Sequence, residues 1–432
     1  MTDSSGTDDQ RSRAGSLEAS VSRRRVLGGL AASVALAIPP FVRAKAESSK
    51  AWDFIVVGAG VFGAWTAWTL RRKGHRVLLL DAWGPAHSRA SSGGETRLTR
   101  TEYGADPLYT RWAWESLVEW QALSRRHESP IFHETGALFL YSDDDPSIDR
   151  SIAIQRSLEI PIEKIRAPEM AKRWPQIDFD GIAIGVMQPT MGVLMARRSV
   201  QALVGEFVKA GGVFRQVAVD RPNSARASLS ALTGTGGETL HADRFIFACG
   251  PWLPKLFPEA VGGRIVPTRQ EVFFFAPAAG DTRFSAARLP AWVDASSKTY
   301  PYGFPDIENR GFKIALDARG PRFDPDASDR AITQQGLSNV RAYLAHRFPD
   351  LAQRPLAESR VCQYENSDNG DLLIDRHPEW DNAWLVGGGS GHGFKHGPAV
   401  GRYVTDLVLG SGKAEPRFAL ASHRDHDGTS GS

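Results

Sequence analysis

The chain has 432 residues, of which 42% are hydrophobic and 23% charged, so it can bury a sizeable core and is long enough for two domains. Its formal net charge is +3, but residues 1–46 hold seven basic and four acidic residues, and without them 45 of each sign remain. This balance argues against a nucleic acid, an acidic polymer or a lipid surface as the partner of the folded part.

Residues 1–46 have the features of an export signal. An arginine pair at residues 23–24 precedes a weakly apolar run over residues 26–38, and Ala44 and Ala46 offer a small-x-small cleavage site. The apolar run is shorter than the roughly 20 residues that a bilayer-spanning helix needs. The pattern predicts a twin-arginine signal, read by the twin-arginine export machinery, and hence a periplasmic or extracellular protein without stable membrane insertion. A disordered basic tail before an uncleaved helix is the alternative.

A strand, a helix and a second strand are predicted between residue 53 and residue 81. In the turn between the first two, Gly58 permits the tight turn, Gly60 lets the backbone approach a pyrophosphate, and Gly63 allows close packing of helix on strand. Asp81 ends the second strand, where a carboxylate can hydrogen-bond a ribose hydroxyl. The unit predicts dinucleotide binding, with a tight turn that binds no ligand as the alternative, and it does not decide between FAD and NAD.

The elements that follow change type along the chain. Predicted antiparallel strands lie at residues 136–141, 272–275 and 312–316, a predicted helix at 198–210, and predicted parallel strands at 244–248 and 383–386. The last strand meets a glycine-rich segment at residues 387–393. Parallel-type segments near both ends, with antiparallel material between them, predict an α/β fold of two interleaved domains.

Four groups of residues resemble one enzyme family. They are residues 53–63 with Asp81, residues 91–100, residues 302–305 with 311–313, and the C-terminal group 361–364, 372–379 and 390–395. On these groups the chain resembles, from about residue 52 to about residue 410, the monomeric sarcosine oxidase and N-methyltryptophan oxidase family of the D-amino-acid oxidase superfamily. The resemblance implies a Rossmann-like FAD-binding domain interleaved with an antiparallel-sheet substrate domain. The predicted boundaries are 1–46 for the signal, 51–135, 195–265 and 360–415 for the FAD-binding domain, 136–194 and 266–359 for the substrate domain, and 416–432 for a flexible tail.

The resemblance also implies that the cofactor is FAD and that Cys362 is bonded to the 8α carbon of the flavin. A nearby cation that favours the thiolate would assist this bond, and the bond would prevent loss of the cofactor outside the cell. Gly391, His392 and Gly393 are assigned to cofactor binding by the same resemblance. An ordinary buried thiol is the alternative for Cys362, whereas Cys249 is interpreted as a structural residue at the end of a strand.

Four cationic residues carry the predicted chemistry. The resemblance implies that Arg97 lies against the flavin, while Arg100 and Lys395 hold a substrate carboxylate. It places Lys313 at the reactive edge of the flavin, where a fixed cation promotes the reaction of the reduced cofactor with oxygen. Arg97 and Arg100 are three residues apart, and on a helical turn they would point the same way. A solvated arginine pair and a snorkelling edge-strand lysine are the alternatives.

Two positions of the predicted substrate pocket depart from the family pattern. Tyr302 begins a Tyr-Gly-Phe-Pro run that the family shares, but Pro301 replaces a tyrosine and Asp317 replaces a histidine. Tyr302 and Asp317 are therefore predicted to contact a substrate that differs from sarcosine. An acid at residue 317 could receive a cationic group of the substrate, and a small loop rearrangement is the alternative.

The predicted function is oxidation of a small secondary amine or amino acid by hydride transfer to the flavin N5. The product imine is then hydrolysed, oxygen is reduced to hydrogen peroxide, and the protein is predicted to be a monomer that needs no metal. Three alternatives stay open. They are a dehydrogenase that passes electrons to a quinone or carrier protein, a flavin-binding protein without turnover, and an NAD-dependent dehydrogenase.

Overall fold

The computed structural model describes residues 51–424, which belong to one compact unit. The predicted export signal and residues 425–432 of the predicted tail lie outside the described residues. Between residues 51 and 424, no helix is both long enough and apolar enough to cross a bilayer.

The strands and helices of this part of the chain are numbered in chain order. The strands are β1 (Trp52–Val57), β2 (Val77–Asp81), β3 (Thr96–Thr99), β4 (Phe132–His133), β5 (Ala137–Tyr141), β6 (Glu163–Arg166), β7 (Ile184–Gln188), β8 (Gly192–Met195), β9 (Val213–Gln216), β10 (Ala231–Thr233), β11 (Thr239–Phe247), β12 (Ile265–Phe275), β13 (Ala291–Asp294), β14 (Pro301–Phe304), β15 (Phe312–Leu316), β16 (Leu356–Ser367), β17 (Leu373–Arg376) and β18 (Ala383–Gly387). The helices are α1 (Val61–Arg72), α2 (Pro107–Arg125), α3 (Pro146–Ser157), α4 (Ala167–Arg173), α5 (Ala196–Lys209), α6 (Leu253–Leu256), α7 (Pro258–Val261), α8 (Gln334–Arg347) and α9 (Gly397–Val408).

The first sheet is built around β1 and is mainly parallel. Its strand order is β17-β18-β11-β1-β2-β9, with β10 paired to β11. Phe54 and Val56 of β1 pack on one face with residues of α1, α5 and α9, whereas Ile55 and Val57 pack on the other face with residues of β2 and β11. Because both faces of β1 are buried, its sequence is a continuous apolar run and does not alternate between apolar and polar residues. The segments after the parallel strands β1, β2, β11 and β18 meet at one edge of this sheet, and the glycine turn lies there.

The second sheet has eight strands in the order β16-β12-β15-β14-β13-β5-β7-β6. All neighbours pair antiparallel except β5 and β13, which run parallel. Phe273, Phe275, Phe312 and Ile314 share a core with residues of α8. Lys313 lies between two of these core residues, so its side chain emerges on the opposite face because side chains alternate along a strand.

The predicted fold class is confirmed, and the predicted elements coincide with observed ones. The strands predicted at residues 53–57, 76–81, 136–141, 244–248, 272–275, 312–316 and 383–386 correspond to β1, β2, β5, the end of β11, the end of β12, β15 and β18, and the predicted helix corresponds to α5. The strands predicted for β11 and β12 are shorter than the observed ones, because the early parts of these strands contain charged or polar residues.

Two predicted boundaries differ from the structure. The strand that contains Cys362, β16, pairs along its length with β12, so residues 360–367 extend the antiparallel sheet and not the FAD-binding domain. The tail predicted to be flexible from residue 416 is folded as far as residue 424, because Phe418 is fully buried and Arg417 pairs with Asp106 at 2.6 Å.

Candidate active site

The glycine turn between β1 and α1 requires two of its three glycines on steric grounds. Gly58 has a φ of +104°, and a Cβ there would lie 2.3 Å from the carbonyl oxygen of Ala248. A Cβ on Gly63 would lie 1.9 Å from the carbonyl oxygen of Gly58. At Gly60, by contrast, the nearest atom would be 3.5 Å away, so its missing side chain leaves open space at the start of α1.

Asp81 fixes this turn to the end of β2. Its Oδ2 accepts a hydrogen bond from Ala59 N at 2.8 Å, and its Oδ1 accepts from Trp83 N and Gly84 N at 2.9 Å each. Asp81 also lines the cavity beside the turn. The structure therefore gives this carboxylate a role in holding the turn, while its predicted contact with a ribose hydroxyl stays a prediction.

Three cavities adjoin one another from the glycine turn to the antiparallel sheet. The dinucleotide cavity, of about 450 Å³, is lined by Gly58, Gly60, Asp81, Trp83, Cys249, Gly250 and neighbouring residues. The neck, of about 40 Å³, is lined by Ser91, Arg97, Glu365, Gly391, Gly393 and others. The cationic cavity, of about 410 Å³, is lined by Arg100, Tyr302, Asp317, Tyr364, Lys395 and others. Ser91 and Glu365 border both the dinucleotide cavity and the neck, and Arg97 borders both the neck and the cationic cavity.

Arg97 and Cys362 are brought into contact beside the neck. Nη2 of Arg97 lies 3.3 Å from Sγ of Cys362 and donates to the carbonyl oxygen of Ser91 at 2.6 Å. The prediction that Arg97 and Arg100 share a helical turn is wrong, because Arg97 lies in β3 and Arg100 follows that strand. Both arginines line the cationic cavity, and Arg97 also borders the neck.

Arg100 and Lys395 both line the cationic cavity, and their contact with a substrate carboxylate stays a prediction. The guanidinium of Arg100 lies 4.2 Å from the ring of Tyr103 and donates to the carbonyl oxygen of Glu102. Nζ of Lys395 donates to the hydroxyl of Tyr103 at 2.9 Å. Burial and the nearby Arg100 hold the pKa of Lys395 well below its usual range, with Asp317 acting in the opposite direction. Two cations held close together in this way form a site that an anion would stabilise.

Asp317 supplies an acid on the wall of the same cavity. Its Oδ1 accepts a hydrogen bond from the hydroxyl of Tyr364 at 2.7 Å, and that hydroxyl lies 3.5 Å from the hydroxyl of Tyr302. The residue as a whole is exposed, but its carboxyl group faces the cavity walls. The protein atoms around the carboxyl group disfavour its charged form and so raise the pKa of Asp317, although Tyr364, Arg100 and Lys395 favour the charged form. The cationic cavity is therefore equipped for a molecule that carries both an anionic and a cationic group.

Lys313 lies in a buried position next to Arg97, outside the linings of the three cavities. Its side chain is 2% exposed, and its Nζ donates to the carbonyl oxygen and to Oγ1 of Thr96 at 3.0 and 3.1 Å. The ring of Phe304 lies 4.6 Å away, and that of Tyr302, which lines the cationic cavity, lies 5.9 Å away. Burial, reinforced by Arg97, lowers the pKa of Lys313 well below its usual range.

Tyr103 is a residue of the site that the sequence analysis missed. Its hydroxyl contacts Nδ1 of His392 at 3.2 Å, Nε2 of His396 at 2.6 Å and Nζ of Lys395. Because Nε2 of His392 donates to the carbonyl oxygen of Gly370, its Nδ1 carries no proton and can accept a hydrogen bond from the tyrosine hydroxyl. Burial lowers the pKa of His392 to about 3, so the ring is neutral. The only available signal was the position of Tyr103 three residues after Arg100.

The predicted glycines Gly391 and Gly393 are needed for close packing at the neck. A Cβ on Gly391 would lie 2.7 Å from the ring of Tyr364, and one on Gly393 would lie 2.7 Å from the ring of Phe62. Two polar atoms that border the neck, Oγ of Ser91 and Oε2 of Glu365, are buried without a hydrogen-bond partner among residues 51–424. An extended dinucleotide with polar oxygens between its two ends would satisfy such atoms, so these residues fit FAD.

Comparisons with known proteins find a matching family model and similar proteins. The DAO family model, described as FAD dependent oxidoreductase, matches residues 53–407. Monomeric sarcosine oxidase from Bacillus sp. (strain B-0618) is 30% identical over 381 residues, which cover 87% of this chain and 96% of that protein. N-methyl-L-tryptophan oxidase from Salmonella arizonae is 28% identical over 378 residues, which cover 86% of this chain and 98% of that protein. The crystal structure of L-proline dehydrogenase from P. horikoshii has the same fold, with a TM-score of 0.76 at 19% identity over 86% of this chain and 97% of that one.

Proposed function

The chain belongs to the FAD dependent oxidoreductase family, and on this premise we propose that it is an oxidase of a small secondary amine or amino acid. The observation that carries the proposal is the meeting of Arg100, Lys395 and Asp317 in a cavity that a narrow neck joins to the dinucleotide cavity. The activities of the two sequence relatives, a sarcosine oxidase and an N-methyl-L-tryptophan oxidase, support an N-methylated amino acid as the substrate class.

The side chains of the cationic cavity bind and orient the substrate. Arg100 and Lys395 hold its carboxylate, which fixes the orientation of the carbon–hydrogen bond next to the nitrogen. Loss of a hydride requires a neutral amine, and the two cations lower the pKa of the substrate amine. When FAD is bound, its ring would supply the acceptor for this hydride and the route of the two electrons to oxygen, and the products would be hydrogen peroxide and an imine that water hydrolyses.

The experiment that tests this function follows the flavin colour. The purified protein is mixed without oxygen with a panel of secondary amines, N-methyl amino acids and basic amines, and the flavin absorbance is recorded. We expect one class to bleach the flavin and, after air is admitted, to give one peroxide per substrate. Bleaching without peroxide would indicate the dehydrogenase alternative, and a flavin that no amine bleaches would contradict catalysis on amines.

We also propose that Cys362 holds FAD covalently, supported by the guanidinium of Arg97 at 3.3 Å from its sulfur. A cation hydrogen-bonded to the sulfur stabilises the negative charge of the attacking thiolate. In a Cys362→Ser variant, all flavin should therefore be released when the protein is denatured with acid, whereas the wild type should keep its flavin in the precipitate. Absorbance of supernatant and precipitate gives the measurement.

Cys249→Ser is the matched control for this prediction. Burial strongly raises the pKa of the Cys249 thiol, so this sulfur is a poor nucleophile, and its variant should keep the flavin attached. Complete release of flavin from the wild type would show that the cofactor is not covalently bound.

Asp317 is proposed to select substrates that carry a second cationic group. An Asp317→Asn variant should lose about tenfold or more of the preference for a basic over a neutral N-methyl amino acid of matched length, because one charged hydrogen bond is removed. The measurement is the ratio of kcat/KM for the two substrates. Because the carboxylate is charged only above its raised pKa, the wild-type preference should weaken as pH falls through that pKa.

Tyr364→Phe serves as the control for Asp317, because it removes the hydrogen bond at 2.7 Å but keeps the carboxylate. Its substrate ratio should stay close to that of the wild type. If the ratio of the two kcat/KM values is unchanged in Asp317→Asn, the carboxylate does not select between the basic and the neutral substrate.

We propose in addition that the protein is exported by the twin-arginine machinery and works as a monomer. Export is supported by the arginine pair and the apolar run before residue 46. The twin-arginine route carries folded proteins, which suits a chain that must take up a bulky cofactor before it is exported. Fractionation of cells that express the whole chain, with an Arg23→Lys and Arg24→Lys double variant as the control, tests the export.

A further inference from the structure

Glu365 places a buried carboxyl group on the wall of the cofactor cavities. The residue is 8% exposed, and its Oε2 has no hydrogen-bond partner in the described part of the chain. A Cβ on Gly250 would lie 3.2 Å from Oε2, and a Cβ on Gly389 would lie 2.9 Å from Oε1. Two glycines thus make room for a carboxyl group that the protein itself leaves unsatisfied, and such groups normally have a partner.

The position of Glu365 points to the middle of a bound dinucleotide. The residue borders both the dinucleotide cavity and the neck, as does Ser91, whose Oγ is the other unpartnered polar atom there. A molecule that extends through both cavities passes this carboxyl group. In FAD the middle is the chain of hydroxyl and phosphate oxygens between the adenosine and the flavin ring.

The elements around Glu365 bring little charge to its carboxyl group. Cys249 is the titratable residue next to the turn Gly250–Trp252, and its buried thiol is neutral because its pKa is strongly raised. The paired strand β12 places Pro267 opposite Glu365. Arg97 borders the neck, but its guanidinium donates to other groups.

Farther along the dinucleotide cavity lie the charged or titratable residues Asp81, His87, Asp220, Arg221, Lys255 and Asp326. Burial raises the pKa of Glu365 to about 7, although the backbone N–H of Gly389 favours the charged form. Near neutral pH, the protonated and the charged form of this carboxyl group therefore differ little in free energy.

We infer that Glu365 is a cofactor-binding residue that acts as a protonated carboxylic acid, donating a hydrogen bond from Oε2 to an oxygen of the chain that joins the two ends of FAD. The inference rests on FAD binding, which the proposed function shares. A carboxylate at this place would face phosphate oxygens with like charge and without solvent, whereas a carboxylic acid can donate to them. Binding of FAD therefore requires, or takes up, one proton at Glu365.

The test measures FAD affinity against pH. The apoprotein of a Cys362→Ser variant, in which binding is reversible, is titrated with FAD between about pH 6 and about pH 8.5 while flavin fluorescence is recorded. If only the protonated form binds, a pKa of about 7 predicts that the Kd rises by about 30-fold over this range. Adding Glu365→Gln, a neutral group of the same shape, should make the Kd independent of pH and close to the low-pH value.

Two further variants make the test specific. Asp317→Asn, which removes a carboxyl group of the cationic cavity, should keep the full pH dependence. Glu365→Ala should bind FAD more weakly but equally at all pH values, and it replaces Glu365→Gln if that protein does not fold. In the FAD-loaded wild type at about pH 8.5, infrared spectra should show a protonated carboxylic acid that the Glu365 variants lack.

The outcomes separate this inference from the proposed function. If FAD binds but its Kd does not change with pH, or falls as pH rises, the proposed role of Glu365 is overturned. The same holds if the Glu365 variants keep the pH dependence of their parent. Failure to bind FAD at any pH would instead remove the proposed function itself.

Discussion

A Lys395→Met variant should oxidise its amino-acid substrate with a kcat/KM about 10²- to 10³-fold below that of the wild type, because truncation of one partner of a buried charge pair costs several kcal/mol. Lys395 is 4% exposed and faces the same cavity as Arg100. Methionine keeps the length and apolar stem of the side chain but lacks the ammonium. The remaining guanidinium would hold the substrate carboxylate alone, with less control of its orientation.

The measurement compares two substrates and a control variant. With the matched amine that lacks a carboxylate, the wild type and Lys395→Met should differ by less than about threefold, because the lost charge has no partner there. Lys209→Met makes the same chemical change at a side chain that is 77% exposed and should have no effect. If kcat/KM falls equally for the amino acid and for the matched amine, Lys395 maintains the structure of the cavity and does not bind the carboxylate.

The fold could be predicted because its signals are local. The strand-turn-helix unit from β1 to α1 combines a buried strand with glycines whose positions steric contact now explains. Strands such as β5 and β15 were visible from their apolar and β-branched residues. Each of these signals lies within a dozen residues of sequence, so no knowledge of distant contacts was needed.

The site could be predicted only in part because its contacts join distant parts of the chain. The hydroxyl of Tyr103 meets His396, which is 293 residues later, and the carboxyl group of Glu365 depends on glycines in two other segments. Arg97 and Arg100 were assigned to one helical turn because spacing alone does not distinguish a helix from a strand end. Family resemblance supplied the residues around the cationic cavity, but not the partners that set their charge.

Lys313→Met should slow the reaction of the reduced enzyme with oxygen by about 10²- to 10³-fold, because a preorganised cation in a water-excluded site stabilises the negative charge that forms on oxygen. Lys313 is buried beside Arg97 and Thr96. Methionine fills the same space without the charge. The rate of reoxidation in aerated buffer, measured by stopped flow, gives the effect, while the anaerobic reduction of the flavin by substrate should change by less than about threefold.

The pH dependence of reoxidation distinguishes the charge of Lys313 from its packing. Burial and Arg97 lower the pKa of Lys313, so its charged form is lost as pH rises through this lowered value. Wild-type reoxidation should therefore slow with rising pH, and Lys313→Met should be slow at every pH. Lys298→Met, at an exposed position before β14, should keep the wild-type profile. If Lys313→Met instead slows reduction and reoxidation alike, the lysine supports the sheet beside Thr96 and does not act on oxygen.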